Sequence, residues 1–320
     1  MSLSDPASLA AGVLAGQARA IARAISWIED EEAGAATVVA ALYPSTGRAL
    51  TVGITGPPGA GKSTFVDRLV ARARAAGRKV GVIAVDPASP FTGGAILGDR
   101  VRVRVEAADP GVYFRSMSSR GHLGGIALAT EAAVNVLDAA GFDLVIVETV
   151  GVGQSEIEVA QLADTTILVQ PPGLGDGVQA VKAGIMEVPA LFVINKADLP
   201  GAKQAAEEIR QYLGLVDPVP DAWQAPVLLV SATTERENGV DAVWDALERH
   251  WLYLQNHDRL NSARAARARG LLWREADRQL AAALRATAPS AVAGDLATAV
   301  AERRLSPAQA ASELVRHLLP

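Results

Sequence analysis

The chain contains no cysteine among its 320 residues. That absence excludes disulfide bonds and thiolate metal sites, and it is typical of proteins in a reducing compartment. No segment approaches the run of about 18 uncharged apolar residues that a membrane span needs. The N-terminal stretch MSLSDPASLAAGVLAG also lacks the basic start and long apolar core of a signal peptide. We therefore expect a cytoplasmic protein with no membrane partner.

Positive charge is scarce as well. The formal net charge is −5, and only five of the 30 basic residues are lysines. Such a chain has no general electrostatic attraction to nucleic acid, so no nucleic-acid partner is expected. Half of the residues are apolar and 20% are charged, a balance typical of a packed globular core.

Short apolar runs alternate with amphipathic segments through most of the chain. The runs do not alternate in polarity, which favours strands buried on both faces, as in a parallel sheet covered by helices. The predicted strands are Leu50–Thr55, Val80–Val85, Leu144–Glu148, Thr166–Gln170, Leu191–Asn195 and Val227–Ser231. The predicted helices between them are Lys62–Ala76, Gly124–Ala140, Glu156–Ala163, Asp176–Glu187, Ala202–Leu213 and Val240–Leu254. Repeated βα units of this kind predict an α/β fold with a doubly wound, mostly parallel sheet.

The two ends of the chain differ from this pattern. Residues 1–45 are predicted to be a helical extension, residues 46–258 the α/β domain, and residues 259–320 a second helical extension. In the last of these, Trp273, Leu280 and Leu284 share one helical stripe, and Ser306 begins a Ser-Pro-Ala-Gln helix start. This extension either packs on the main domain or serves as a dimerisation arm.

A glycine-rich segment between the first strand and the first helix of the α/β pattern carries the chemistry. It reads GITGPPGAGKST over residues 53–64 and fits G-x-x-x-x-G-K-[ST] in the strand-to-helix context that the motif requires. Glycines let backbone amides turn inward around a phosphate, and the helix dipole favours the same anion. The predicted phosphate-binding residues are Gly56, Pro57, Pro58, Gly59, Ala60, Gly61, Lys62, Ser63 and Thr64. Lys62 is expected to reach the β- and γ-phosphates, and Ser63 to hold Mg²⁺.

A second motif indicates which base is bound. Asn195, Lys196 and Asp198 form an N-K-x-D at the end of a predicted strand. A carboxylate at Asp198 accepts hydrogen bonds from N1 and the exocyclic amine of guanine, whereas adenine has no matching donors and leaves the charge unpaired. The stem of Lys196 can cover the base plane. At the end of the next strand, a backbone amide of Ser231, Ala232 or Thr233 can reach the guanine oxygen. GTP and GDP are therefore the expected ligands.

Three carboxylates are candidates for the metal and the attacking water. Asp86 ends the second predicted strand, Asp99 follows a glycine-rich segment, and Glu148 closes the run LVIVE. Carboxylates at strand ends near a phosphate-binding loop commonly serve Mg²⁺. An Asx turn before Pro87 is the alternative for Asp86, and a surface position is the alternative for Asp99. Gly151 is placed to contact the γ-phosphate and so to distinguish GTP from GDP.

Taken together, these stretches resemble a known family. GITGPPGAGKST, VDPASPFTGGAILGDR, FRSMSSRGHLGG, VIVETVGVGQSE and NKAD are similar to the MeaB/MMAA (ArgK-like) family, which are GTPases of the SIMIBI class of P-loop proteins. The resemblance runs from about residue 15 to about residue 285. It implies a homodimeric GTPase chaperone for an adenosylcobalamin-dependent acyl-CoA mutase, usually methylmalonyl-CoA mutase. The implied role couples GTP hydrolysis to cofactor loading and to protection of the mutase.

The resemblance also implies roles for individual residues. The Mg²⁺ and switch positions of the family fall on Ser63, Asp86, Asp99 and Glu148. A further mobile segment falls on Pro172–Lys182, with Asp176 and Lys182 as its polar ends. The family usually has an acidic residue after that aspartate, where this chain has Gly177.

Phosphoryl transfer to water needs positioning and charge neutralisation more than covalent chemistry. The expected catalytic residues are Lys62 for the phosphate charge and Asp86, alone or together with Glu148, for aiming the water. Gln154, the nearest glutamine after the ETVG motif, is three residues beyond Gly151, so slow intrinsic turnover and acceleration by a partner are expected. Further possible charge donors are Arg100, Arg102, Arg115 and Arg120, each with the alternative of an ordinary surface or structural role.

Three other functions are compatible with a phosphate-binding loop. A P-loop kinase or ATPase linked to amino-acid transport needs an acceptor pocket and base that the sequence does not reveal. A nickel-insertion GTPase needs a histidine or cysteine cluster, but the four histidines, at 122, 250, 257 and 317, are scattered. A protein-targeting GTPase needs a methionine-rich groove, and the chain has three methionines.

Overall fold

The computed structural model describes residues 5–87, 109–119, 125–149, 162–173, 189–215, 221–234, 238–287 and 290–318. The strands in this part of the chain are β1 (Leu50–Thr55), β2 (Val80–Pro87), β3 (Val112–Ser119), β4 (Leu144–Thr149), β5 (Thr165–Gln170), β6 (Leu191–Ile194) and β7 (Val227–Leu229). The helices are α1 (Pro6–Leu14), α2 (Ala18–Glu29), α3 (Ala35–Leu42), α4 (Lys62–Ala75), α5 (Gly125–Ala139), α6 (Ala202–Leu213), α7 (Val240–Asn256), α8 (Arg259–Thr287), α9 (Ser290–Ala301) and α10 (Pro307–Leu318).

The strands form one sheet in the order β3-β2-β4-β1-β5-β6-β7. Every neighbouring pair in it is parallel. All six residues of β1, of β4 and of β5 are buried, as expected for strands covered by helices on both faces. The predicted doubly wound α/β fold with helical extensions at both ends is therefore confirmed.

Side chains of one strand alternate between two separate cores. Leu144 and Ile146 of β4 pack in one cluster with Phe65 and Leu69 of α4, together with residues of α7. Their neighbours Val145 and Val147 point to the other face, where residues of α1, α2, α3 and α5 form the second cluster. The N-terminal helices thus cover one face of the sheet because the period of two in a strand supplies an apolar surface on each side.

The sequence did not predict β3. Its residues, VYFRSMSS, begin apolar but then become polar, so they lack the continuous apolar run that marked the other strands. Among the strands that the structure describes, β3 lies at the sheet edge and pairs with β2, from Val80 opposite Val112 to Pro87 opposite Ser119. Polar and charged side chains are common on edge strands, where they disfavour pairing with another chain. This pairing also extends β2 beyond its predicted end at Val85.

The predicted helical extension over residues 1–45 contains three helices and a short 3₁₀ turn at Tyr43–Ser45. The breaks coincide with left-handed backbone at Gly16 (φ 68°) and Glu31 (φ 50°). Helix α6 has the predicted bounds, and α5 and α7 differ from theirs by one or two residues. The predicted helices 156–163 and 176–187 fall largely or wholly outside the described residues.

The chain divides into two compact units, residues 1–264 and 265–320. The sheet, with the helices that cover it, belongs to the first unit. The second unit is helical, and α10 begins with the predicted capping box. Ser306 Oγ accepts from the Gln309 amide at 3.3 Å, and Gln309 Oε1 accepts from the Ser306 amide at 3.0 Å. In the described part of the chain, no helix is long and apolar enough to cross a membrane. The three-part division at residues 45 and 258 stays a prediction.

Candidate nucleotide site

The phosphate-binding loop connects the central strand β1 to α4. Gly56, Gly59 and Gly61 have φ angles of 139°, 76° and 82°. Residues other than glycine rarely adopt these angles. Space is short as well. A Cβ on Gly56 would lie 1.9 Å from the Val169 carbonyl oxygen, and one on Gly61 would lie 2.5 Å from Asn195 Nδ2. Gly56 and Gly61 therefore have no room for a side chain, because the end of β5 and the side chain of Asn195 lie too close.

Lys62 is the first residue of α4. Its ammonium donates to the carbonyl oxygens of Gly56, at 2.6 Å, and Pro57, at 3.0 Å. The side chain is only 6% exposed, so the positive charge is held against the loop and beside the N-terminus of the helix. Both features favour an anion at this place. The arrangement can bind a phosphate group.

Ser63 and Glu148 meet at the same edge of the sheet. The Ser63 hydroxyl donates to Glu148 Oε1 at 2.5 Å, and Glu148 is 3% exposed. Glu148 lies opposite Ile54 in the pairing of β1 with β4, which brings it to the start of the loop. A hydroxyl and a carboxylate are the hard oxygen donors that Mg²⁺ accepts beside substrate phosphates. These two residues therefore fit the metal that P-loop proteins use.

The other predicted metal and switch residues are less fully described. The backbone of Asp86 lies near the end of β2, opposite Ser118 of β3, one position after Val85 pairs with Thr149. That register puts Asp86 at the same sheet edge as Glu148, because the carboxyl ends of parallel strands meet there. Asp99, Gly151, Asp176 and Lys182 lie outside the described residues. Within the described ranges, no group of three or more histidine, aspartate or glutamate side chains could hold a metal by itself.

Asn195 connects the phosphate-binding loop to the base motif. Its side chain is 2% exposed, and Nδ2 donates to the carbonyl oxygens of Ala60, at 2.8 Å, and Gly61, at 3.3 Å. Its Oδ1 accepts from the Ala232 amide at 3.3 Å. One buried amide thus joins the loop between β1 and α4 to the loop after β7. The pattern N-K-x-D indicated a base site, but nothing in it indicated this bridge.

Lys196 and Asp198, the other two defining residues of the base motif, follow Asn195 in the same loop. Lys196 has left-handed backbone (φ 58°), and its Cε lies 3.9 Å from the position of a Cβ on Gly61. The Lys196 stem therefore runs beside the phosphate-binding loop. Asp198 is exposed, so its carboxylate can meet a ligand. Ala197 ties this segment to the next strand, because its amide donates to the Val230 carbonyl at 2.9 Å.

The loop after β7 is a closed turn. The Thr234 amide donates to the Ser231 carbonyl at 2.9 Å, and the Ser231 amide donates to the Asn238 carbonyl at 2.9 Å. Ala232 is buried and Thr233 is exposed. A residue that the sequence did not single out also reaches this turn, since Arg68 Nε donates to the Ala232 carbonyl at 2.9 Å. No pattern signals this contact, because the two residues are 164 positions apart.

One candidate charge donor is held away from the loop. Arg115 of β3 donates from its guanidinium to Ser26 Oγ at 3.1 Å and to the Glu29 carboxylate. Both partners lie on α2, so Arg115 joins the N-terminal helices to the edge of the sheet. These contacts support a structural role for Arg115 rather than a role as a charge donor to the phosphates. Arg100, Arg102 and Arg120 lie outside the described residues.

Comparisons with known proteins agree with these motifs. A family model described as "Methylmalonyl Co-A mutase-associated GTPase MeaB" matches residues 18–289. A protein of Pyrococcus abyssi that is named as a GTPase is 49% identical over 254 residues, which are 79% of this chain and 78% of that protein. A Caulobacter vibrioides protein, also named as a GTPase, is 41% identical over 322 residues and 97% of each chain. The crystal structure of a LAO/AO transport system kinase superposes with a TM-score of 0.73 at 29% identity, covering 100% of this chain and 99% of its own.

Proposed function

Because this chain belongs to the MeaB family of GTP-hydrolysing P-loop proteins, we propose that it is a GTPase chaperone of an adenosylcobalamin-dependent acyl-CoA mutase. Its client is methylmalonyl-CoA mutase or a close relative, and GTP hydrolysis is coupled to cofactor loading and to protection of the mutase. The observation that carries the proposal is the family match over residues 18–289, whose description names the mutase. The geometry of the site supports the GTPase part.

The triphosphate is bound by the loop between β1 and α4. Lys62 already lies against this loop through its bonds to Gly56 and Pro57, and it exchanges those carbonyls for phosphate oxygens when GTP binds. The loop amides and the start of α4 supply further donors. In this low-dielectric site they stabilise the charge that develops on the β–γ bridge.

Ser63 and Glu148 hold Mg²⁺, with Asp86 and Asp99 as further ligands. Mg²⁺ when bound supplies neutralisation of phosphate charge. The Ser63–Glu148 hydrogen bond keeps both oxygens at the head of α4. Asp86, or Glu148 itself, orients the water that attacks the γ-phosphate. We expect slow intrinsic turnover that a partner accelerates, with Gly151, Asp176 and Lys182 as the switch residues.

Guanine is recognised by the second motif. The exposed carboxylate of Asp198 accepts from N1 and the exocyclic amine, and Lys196 covers one face of the base. The turn at Ser231, Ala232 and Thr233 donates to the guanine oxygen. Asn195 holds this turn and the phosphate-binding loop at a constant separation, which suits one ligand that spans both.

The helical segment 259–320 is proposed as a dimerisation arm. Helix α8 exposes three large apolar side chains, Leu272 (66% exposed), Trp273 (69%) and Leu280 (54%). Trp273 and Leu280 are seven residues apart, so they lie on one face of the helix. Large exposed apolar side chains that share one face commonly mark a protein interface. A second copy of this helix would bury it.

The chaperone proposal is tested by adding this protein to an apo-mutase. Candidate apo-mutases are mixed with the full-length protein and assayed for adenosylcobalamin loading with GTP, with GDP and with a nonhydrolysable GTP analogue. We expect a complex with one mutase and GTP-dependent acceleration of loading, both lost in Lys62→Ala. Lys203→Ala, at an exposed position on α6, is the matched control. A protein that hydrolyses GTP yet neither binds nor affects any adenosylcobalamin mutase would contradict the chaperone role.

A kinase linked to amino-acid transport is the second candidate. The likeness to the structure named as a LAO/AO transport system kinase favours it, whereas the base motif makes GTP the donor. Incubation with γ-labelled GTP decides between the two. Label released as inorganic phosphate supports the GTPase, and label transferred to any protein or small molecule supports the kinase. The nickel-insertion alternative gains nothing from the described histidines, because His250 is buried against Thr165 and the exposed His257 and His317 each bond to their own helix.

A further inference from the structure

Arg68 joins the two ends of the nucleotide site through one helix. It lies on α4 about one and a half turns after Lys62 and Ser63. Its Nε donates to the carbonyl oxygen of Ala232 at 2.9 Å, in the turn proposed to face guanine. The helix that presents its N-terminus to the phosphates therefore also holds the base turn in place.

The contacts of the turn define the direction of its amides. The Ser231 amide donates to Asn238 and the Ala232 amide donates to Asn195. Within the residues that the structure describes, no acceptor is found for the amide of Thr233. That amide and the Ala232 carbonyl belong to one planar trans peptide, so they point in opposite directions. When Arg68 binds the carbonyl, it therefore aims the Thr233 amide away from α4.

We propose that Arg68 is a positioning residue for guanine selection, which fixes the Ala232–Thr233 peptide so that the Thr233 amide donates to the guanine oxygen. The inference rests on the base site proposed above. Arg68 does not touch the nucleotide and acts only through the turn. Adenine carries an amino group where guanine carries that oxygen, so a correctly aimed amide binds guanine and gains nothing from adenine.

Three nucleotides separate the parts of the site. GTP and ITP share the purine oxygen, ITP lacks the exocyclic amine that Asp198 would bind, and ATP lacks the oxygen. In Arg68→Gln we expect the affinities for GTP and ITP to fall together, by about tenfold, with ATP affinity unchanged. The GTP-to-ATP preference then falls while the GTP-to-ITP preference stays constant. The rate of hydrolysis at saturating GTP should also stay constant, because the phosphate end is not altered.

Arg72→Gln is the matched control. Arg72 lies one turn further along α4, where its Nε donates to Asp241 at 2.5 Å and its guanidinium lies over the Trp244 ring. Loss of these contacts can lower the melting temperature but should not change nucleotide preference. Arg68→Met keeps an aliphatic stem of similar length. It replaces Arg68→Gln in the same affinity measurements if Arg68→Gln does not fold. Thermal unfolding of each variant separates lost stability from lost selectivity.

Two failures are distinguishable. Wild-type protein that binds ATP as tightly as GTP removes the base site itself, and with it the basis of the inference. Wild-type protein that prefers GTP, combined with a folded Arg68 variant of unchanged GTP-to-ATP preference, overturns the role of Arg68 alone. A parallel fall in GTP, ITP and ATP affinity also overturns it, because the turn would then have no specific part in recognising the oxygen.

Discussion

Asn195 Nδ2 lies 2.8 Å from the carbonyl oxygen of Ala60. These two residues are 135 positions apart in the chain, one in the base motif and one in the phosphate-binding loop. The contact is buried, and the same side chain reaches Ala232 through its other atom. The two binding motifs are therefore parts of one hydrogen-bonded unit.

Asn195→Ala should weaken both stability and nucleotide binding. The change leaves the buried carbonyl of Ala60 and the amide of Ala232 without their partner, which costs about 1–3 kcal/mol for each buried group. We expect a lower free energy of unfolding, measured by denaturant titration, and GTP affinity reduced at least about tenfold. Asn261→Ala is the control, because its amide bonds to Asp258 at an exposed position. If Asn195→Ala binds GTP normally, the bridge has no part in the site.

Asp198→Asn should change the preferred base from guanine to xanthine. An amide side chain donates to the xanthine oxygen at the position where guanine has an amine, so the match is inverted. Because Asp198 is exposed, we expect the variant to fold as the wild type does. Competition binding with GTP and XTP measures the effect, and Asp245→Asn on α7, also exposed, is the control. Equal GTP selectivity in the wild type and in Asp198→Asn would remove the carboxylate from the base site.

Glu148→Gln should reduce the dependence of nucleotide binding on Mg²⁺. The amide keeps the shape of the side chain and can still bond to Ser63, but it lacks the charge that a divalent cation requires. GTP affinity is measured with Mg²⁺ and with a chelator. We expect the increase in GTP affinity on adding Mg²⁺ to be about tenfold or more smaller in the variant. GTP affinity in the presence of the chelator should change little. An unaltered gain from Mg²⁺ would place the metal elsewhere.

We expect the free energy of unfolding to fall in acid because of the buried His250. Burial lowers the pKa of His250 from 6.5 to about 4, partly offset by the nearby Asp164 charge, and Nδ1 lies 2.9 Å from the Thr165 hydroxyl. Between pH 6.5 and about 4 the unfolded chain binds a proton at this histidine that the folded chain does not. Stability contributed by the neutral ring is therefore complete above pH 6.5 and is lost as the pH falls towards 4, by about 2–3 kcal/mol.

His250→Gln removes this titration and can keep a hydrogen bond to Thr165. The difference in unfolding free energy between pH 7 and pH 4.5, from denaturant titrations, should be smaller in the variant than in the wild type. His257→Gln is the control, since His257 is exposed and should leave the difference unchanged. Equal pH dependence in His250→Gln and wild type would show that other groups cause the acid sensitivity.

Local features of the fold were predictable because their causes are local. The six apolar runs became six of the seven strands described, and α6 has the predicted bounds. The capping box at Ser306 formed as expected, because its partners are three residues apart. Strand β3 was missed because it lacks a continuous apolar run; polar side chains are common on edge strands, and edge position is a property of the whole sheet.

The sequence alone determined that the chain has a G-x-x-x-x-G-K-[ST] loop, an N-K-x-D pattern at a strand end and a parallel sheet covered by helices. Each of these depends on residue types at short, regular spacings, such as glycines for positive φ and alternating faces along a strand. Only the tertiary structure decided that Asn195 joins the two loops, that Ser63 meets Glu148, and that Arg68 holds the Ala232 peptide. These contacts join residues 37 to 164 positions apart. They exist because parallel strands bring their carboxyl ends to one edge, a result of strand order that no local pattern encodes.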